Sequence, residues 1–179
     1  MRRFRHRCGY GIHSPFAFGF VTGVVYERGE YYAYEALRQY HREHRADCSL
    51  RLKDMLLLFR VANFQRPHRC WIAQGSGSEA VKHFLQQGSK LSRYSMSAHP
   101  AEAELLLMLK GWEEQTSSLM EALAPGGLLI VGRTEGASAE AWRTIQAHPK
   151  AQVCFDLGDF GLAFFRPELQ RQSYVVCYF

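Results

Sequence analysis

A chain of 179 residues with 47% hydrophobic and 22% charged residues suits one globular domain, able to bury roughly 70% of its unfolded surface without staples. The formal charge of +5 is uneven, with 13 Lys/Arg against 6 Asp/Glu in residues 1–69 and 9 against 11 in residues 70–179. Five widely spaced cysteines without a Cys-x-x-Cys pair (Cys8, Cys48, Cys70, Cys154, Cys177) and no apolar run of about 18 residues exclude a disulfide framework, a thiolate zinc site and a membrane span, and predict a cytoplasmic protein with reduced thiols.

The arginine-rich start, Met1 to Arg7, can hold phosphates of nucleic acid or an anionic surface, or be a plain solvated face. His13-Ser14-Pro15-Phe16 then begins a helix, with Ser14 placed to accept from first-turn amides and Pro15 where a missing donor costs nothing. That helix runs to about Glu27 and Gly29 breaks it. From Tyr31 to about His44 the helical pattern returns, with Tyr34, Leu37 and Tyr40/His41 on one face. Tyr31, Tyr32 and Tyr34 read as packing aromatics, with stacking on a base or an acceptor as the alternative. His41 and His44 have metal-ligand spacing but no third ligand nearby. A third helix, about Leu50 to Phe64, carries an apolar stripe and ends at Arg66-Pro67, since proline disfavours helix at the residue before it.

Residues 69–80, Arg-Cys-Trp-Ile-Ala-Gln-Gly-Ser-Gly-Ser-Glu-Ala, predict a short buried strand over Cys70 to Ala73, a glycine turn, and a helix from Ser78 to about Gln87. Gly75 and Gly77 permit a tight turn and close approach of a ligand, while the first helical amides are unpaired donors. A turn kept for geometry alone has the same pattern. A weak strand follows near Ser92 to Ser97, and Pro100 to Leu123 is expected to form one long or broken helix containing Gly111. Pro125-Gly126-Gly127 turns into the apolar strand Leu128 to Val131, followed by a helix from about Ala137 to Ala147. Strands over Ala151 to Asp156 and Gly161 to Phe165 predict an antiparallel hairpin, and Ser173 to Phe179 an edge strand. Such alternation of strand and helix builds a parallel sheet.

The order of motifs resembles the class I S-adenosylmethionine-dependent methyltransferases, and more closely a small bacterial group of them. Tyr10-Gly11-Ile12-His13-Ser14-Pro15-Phe16 is similar to the group's Gly-x-His-Ser-Pro-Phe start, and Tyr31 to Leu37 to its second helix. Leu123-Ala124-Pro125-Gly126-Gly127-Leu128-Leu129-Ile130-Val131 resembles the Leu-x-Pro-Gly-Gly approach to a strand that many methyltransferases share. Ala141-Trp142-Arg143, His148-Pro149 and Gly161 to Arg166 resemble the group's last helix and hairpin. The resemblance implies an α/β fold: a reduced, Rossmann-like, mostly parallel methyltransferase sheet with a C-terminal antiparallel hairpin over residues 69–179, behind a helical N-terminal cap over residues 1–68. The whole forms one domain. It also implies S-adenosylmethionine as cofactor, with Gly75, Ser76, Gly77 and Ser78 along its methionine end and Ser97 near its ribose, and a methyl acceptor of small-molecule or macromolecular class.

Several positions depart from the family pattern. Ala73 stands where the first strand ends in an acid, Glu79 replaces the third glycine, and Ser97 replaces the acid that binds both ribose hydroxyls. A serine replaces one of those bonds but not the charge-assisted pair, which is roughly twice as strong as neutral bonds. The interval 100–123 leaves room for none of the two strands the family has there, which predicts a sheet of order 2-1-5 without the Asp of the adenine or catalytic pocket. Arg133 follows the Pro-Gly-Gly strand where relatives tend to have acids, and a guanidinium only donates. Together these departures predict weakened or lost cofactor binding. Two alternatives accompany that expectation. One is a non-catalytic module binding protein, nucleic acid or a second copy. The other is an NADP-binding protein in which Gly75-x-Gly77-x-x-Ala80 is a dinucleotide fingerprint and Arg93 meets the 2′-phosphate.

Overall fold

The computed structural model describes residues 11–48, 50–97 and 100–178; the arginine-rich start and Cys8 lie outside them, as do Ala98 and His99 beside Ser97. The helices are α1 (Pro15–Phe20, continued by a π-helical turn Val21–Val25), α2 (Tyr34–Glu43), α3 (Leu52–Gln65), α4 (Ser78–Gly88), α5 (Thr116–Glu121) and α6 (Ala139–Ala147). The strands are β1 (Arg69–Ile72), β2 (Arg93–Ser95), β3 (Ala103–Met108), β4 (Leu123–Gly132), β5 (Val153–Asp156), β6 (Phe160–Phe164) and β7 (Gln172–Val175). They form one sheet of order β2-β1-β3-β4-β6-β5-β7. The first four run parallel, β6 is antiparallel to both β4 and β5, and β7 lies parallel to β5 at the edge. This is the α/β architecture the sequence predicts, with the C-terminal hairpin in place.

Local signals at the N-terminus operate as read. Ser14 Oγ accepts from the Ala17 amide at 3.3 Å, Pro15 is the first helical residue, and Arg66 closes α3 in the left-handed region at φ 46°. α3 differs from its one-sided stripe: Met55, Leu57, Leu58, Phe59, Val61 and Ala62 are all buried, because the helix lies between the sheet and its neighbours α2 and α4. Its Arg60 is buried too, donating from Nε to Val24 O at 2.6 Å and from Nη1 to the Tyr34 hydroxyl at 3.0 Å. A cation thus satisfies the carbonyls at the end of the first helical segment. The cysteines Cys48, Cys70, Cys154 and Cys177 are unpaired, and burial pushes the Cys70 and Cys154 thiols up to about 12.

The interval 100–123 corrects the expectation of a helix. It contains β3, a single 3-10 turn (Glu113–Gln115) and α5. Leu105 and Leu107 face the cluster built by α1 to α4, while Leu106 and Met108 face Trp112, α5 and α6. A strand covered on both faces reads as an uninterrupted apolar run, and Ala, Glu, Leu and Met are strong helix formers, so periodicity cannot separate it from a buried helix. The sheet is therefore not of order 2-1-5. One of the two strands the resemblance implies is present as β3, and beyond β2 no further strand occurs among the described residues.

The connection from β2 to β3 is unusual. Parallel strands are ordinarily linked by a dozen or more residues, commonly a helix, whereas β2 and β3, on either side of β1, are separated by only seven residues of chain and no helix occurs among the described residues between them. The indole of Trp71 holds the start of this connection, its Nε1 donating to Ser97 O at 3.0 Å. On the opposite face α3 and α4 approach backbone to backbone: a Cβ on Gly88 would lie 2.2 Å from the Phe59 carbonyl oxygen.

Two outcomes follow from this packing. Because consecutive residues of β3 are buried on opposite faces, Leu106→Ala and Leu107→Ala should each cost about 2–5 kcal/mol in denaturant unfolding. A helix exposing one face would spare one of them. Gly88→Ala should cost about 1–3 kcal/mol, since α3 and α4 must part to admit the methyl group, and unchanged unfolding would mean the two helices do not touch there.

Candidate functional site

β1, β3 and β4 run parallel, so their C-terminal ends share one edge of the sheet. The chain steps outward from β1 to β2 and then returns across β1 to β3. Open α/β sheets bind ligands at such a reversal.

Beyond β1, Ala73, Gln74, Gly75 and Ser76 lead to Gly77, the N-cap of α4, whose φ of 84° is a left-handed conformation that favours glycine. Gly75 is different. It is not among the positive-φ residues, and a Cβ added to it would meet no atom within 4 Å. It lines a narrow cavity of about 70 Å³ with Ile72, Gln74, Ser76, Ser78 and Lys110. Neither backbone conformation nor protein packing calls for glycine at 75, which leaves room for a ligand to approach the main chain. The Ser78 amide is held by Gly75 O at 3.1 Å and that of Val81 by Gly77 O at 3.0 Å, while those of Glu79 and Ala80 meet no backbone carbonyl among the described residues. Two donors at the start of an eleven-residue helix therefore face the turn.

A second cavity, about 390 Å³, lies over the ends of β3 and β4. Arg51, Asp54, Lys110, Arg133 and Asp159 contribute its charged groups. Leu109 and Lys110 line both cavities, which therefore adjoin across the end of β3 as the two parts of the crevice at the strand ends. Arg51, at the N-cap of α3, donates from Nε to Asp54 Oδ2 at 2.8 Å and also pairs with Asp159 in the β5–β6 turn. Those two carboxylates push the guanidinium further above its ordinary pKa.

The strand ends are held by buried neighbours. A Cβ on Gly132 would lie 2.1 Å from the Leu109 carbonyl oxygen, so β3 and β4 remain in contact up to the crevice. Gly111, at φ 68°, turns the chain after Lys110 so that Trp112 enters the core. Thr134, next to Arg133, is buried and donates from Oγ1 to Asp156 Oδ1 at 2.6 Å. The same carboxylate oxygen accepts from the Gly158 amide at 2.9 Å.

Of the residues singled out in the sequence, Gly75, Ser76 and Ser78 come together and Gly77 stands behind them as the helix cap. Ser97 lines a separate hollow with Trp71, Arg93 and Ser95, where its Oγ accepts from Ser95 Oγ at 3.1 Å. Arg93, the phosphate residue of the NADP reading, starts β2 in register with Arg69, at the end of the sheet opposite the glycine turn. His41 Nε2 engages Leu50 O at 3.1 Å and His44 stacks on Tyr40 at 4.1 Å. Tyr31 and Tyr34 pack on Phe59 at 5.2 and 5.4 Å, whereas Tyr32 is exposed. Lys110 escapes a sequence reading that makes 100–123 helical; its available signal is its position directly after the apolar run Leu105 to Leu109.

No protein-family model matches the chain, and no curated protein does. Solved structures do. A methyltransferase from Geobacter sulfurreducens matches over 86% of this chain and 97% of its own, at 14% identity and a TM-score of 0.55. An O-methyltransferase from Bacillus cereus, solved in complex with SAH, matches over 82% and 96% at 10% identity and a TM-score of 0.48. The O-methyltransferase TomG from Streptomyces achromogenes, solved with SAM, matches over 82% and 94% at 13% identity and a TM-score of 0.45. At such identities the likeness concerns the fold, and the first match carries it: helices and a mostly parallel sheet with a glycine turn after β1 give this chain the fold of the class I methyltransferases.

Proposed function

We propose that the crevice binds S-adenosylmethionine and that the chain transfers its methyl group to an acceptor seated over the ends of β3 and β4. The single observation that carries this reading is Gly75, a glycine demanded by neither φ nor packing, lining the cavity at the start of α4. Bound there, the cofactor supplies an electrophilic methyl group on a sulfonium. The chain's own contribution is position. Gly75, Ser76, Gly77 and Ser78 border the methionine end, with the amides of Glu79 and Ala80 as donors to its carboxylate. Ser97, the ribose residue by resemblance, lies in the separate hollow beside Ser95 and takes no part in this binding mode. The larger cavity then aligns the acceptor for in-line attack, a positioning effect that can supply several kcal/mol of the barrier.

Other residues favour a second reading, a scaffold with weakened or lost cofactor binding that serves as a binding module. Ala73 and Ser97 stand where the family has acids, the end of β3 offers Leu109-Lys110 in place of the Asp that the resemblance implies, and the glycine-turn cavity is narrow.

The two readings diverge in a thermal titration. A cofactor at tenfold its dissociation constant stabilises the native state by about 1.4 kcal/mol, roughly 3–6 °C for a chain of this size. S-adenosylmethionine or S-adenosylhomocysteine at millimolar concentration should raise Tm by that order, and no rise at any concentration would sink the enzymatic reading. Gly75→Ala should leave the Tm of the unliganded protein almost unchanged, because a Cβ there meets no atom within 4 Å, yet reduce or remove the ligand-induced rise. A rise left unchanged by this substitution would place the ligand elsewhere.

A further inference from the structure

The chain places two pairs of basic residues at neighbouring positions on adjacent strands, and treats them differently. At the N-terminal end of the sheet, Arg69 and Arg93 are register partners on β1 and β2. Arg69 is neutralised there by Glu102 at 3.0 Å and by Glu104 at 3.6 Å. At the C-terminal end, Met108 and Val131 are register partners on β3 and β4, and Lys110 and Arg133, each two residues further on, line the same cavity. The contact between Gly132 and Leu109 keeps the chains together at this point.

Among the described residues no acid answers the second pair. The cavity they share contains two carboxylates, Asp54 and Asp159, and both are engaged by Arg51. Among the described residues neither Lys110 nor Arg133 takes part in an ion pair. Like charges on neighbouring strands repel and lower stability. Their backbones are nonetheless fixed, Lys110 by buried Trp112 beyond it and Arg133 by buried Thr134. Both side chains are donors only, so the group that completes the arrangement is an acceptor of negative charge and not a cation.

We propose that Lys110 and Arg133 form an oxyanion subsite, and that the methyl acceptor is a small molecule held there by a carboxylate or a phosphate. The guanidinium presents a planar fork suited to either oxyanion, and the ammonium adds a point charge beside it. This inference rests on reading the crevice as a methyl-transfer site, since it assigns the anion to the acceptor. The cofactor's own carboxylate has the amides at the start of α4, on the far side of Lys110 from Arg133 along the crevice.

The test uses the full chain and two simple probes, inorganic phosphate and succinate, titrated by calorimetry and thermal shift at constant ionic strength, with and without saturating S-adenosylhomocysteine. Wild type should bind one or both probes, and the stronger one identifies which oxyanion the subsite prefers. Lys110→Ala/Arg133→Ala should weaken that binding by about tenfold or more, while Arg133→Lys retains part of it. Both side chains are exposed, so the unliganded double variant should melt at or above the wild-type temperature. Absence of probe binding by wild type, or binding unchanged in the double variant, would refute the subsite. Probe binding abolished by S-adenosylhomocysteine would also refute it, because the cations would then serve the cofactor's carboxylate. If S-adenosylhomocysteine itself fails to bind while the probe still binds through both residues, the anion site stands and the methyl-transfer reading falls.

Discussion

The pairing of β3 with β4, buried on both faces, is the constraint on which the rest of the molecule depends. β3 joins the parallel half of the sheet to the half that contains the antiparallel hairpin, and among the described residues no other strand contact connects them. Each face of the pair carries its own core: α1 to α4 cover Leu105, Leu107, Leu128 and Ile130, while α5, α6, Trp112 and Trp142 cover Leu106, Leu129 and Val131. Side chains buried to this extent contribute about 1.5–3 kcal/mol each. The pair is thus held by packing as much as by its ladder of hydrogen bonds, and the crevice is built on its end.

Glycines set how closely the elements meet, and they do so for separate physical reasons. Gly132 and Gly88 permit main chains to touch, at the end of β4 and between α3 and α4. Gly77 and Gly111 supply left-handed turns that start α4 and bring Trp112 into the core. Gly75 does neither: its φ is not positive, and a Cβ there would meet no atom within 4 Å beside the glycine-turn cavity.

Charge is distributed by the same logic of compensation. The buried guanidinium of Arg60 is satisfied by carbonyls and a tyrosine hydroxyl, Arg51 by two carboxylates, and Arg69 by Glu102 and Glu104. Lys110 and Arg133 are left over at the mouth of the larger cavity. In place of the acids that the family resemblance implies at these strand ends, the chain presents donors, so whatever enters this end of the crevice meets an environment of opposite sign.

Local signals in the sequence determined much of this architecture: the Ser14-Pro15 helix start, the stop at Arg66-Pro67, the glycine turn opening α4, and the hairpin of β5 and β6. Each depends on a side chain or backbone preference acting over a few residues, which a linear pattern records. The nature of residues 100–123 was not legible, because a strand sealed on both faces loses the alternation that marks strands, and Leu105 to Leu109 suits a helix equally well by propensity. Only tertiary structure decided that β3 lies between β1 and β4, that Ser97 falls in a different hollow from Gly75, and that Lys110 and Arg133 line one cavity. Those relations join positions that are more than twenty residues apart in the chain, and they are selected by which surfaces pack together, a property that no local stretch of sequence contains.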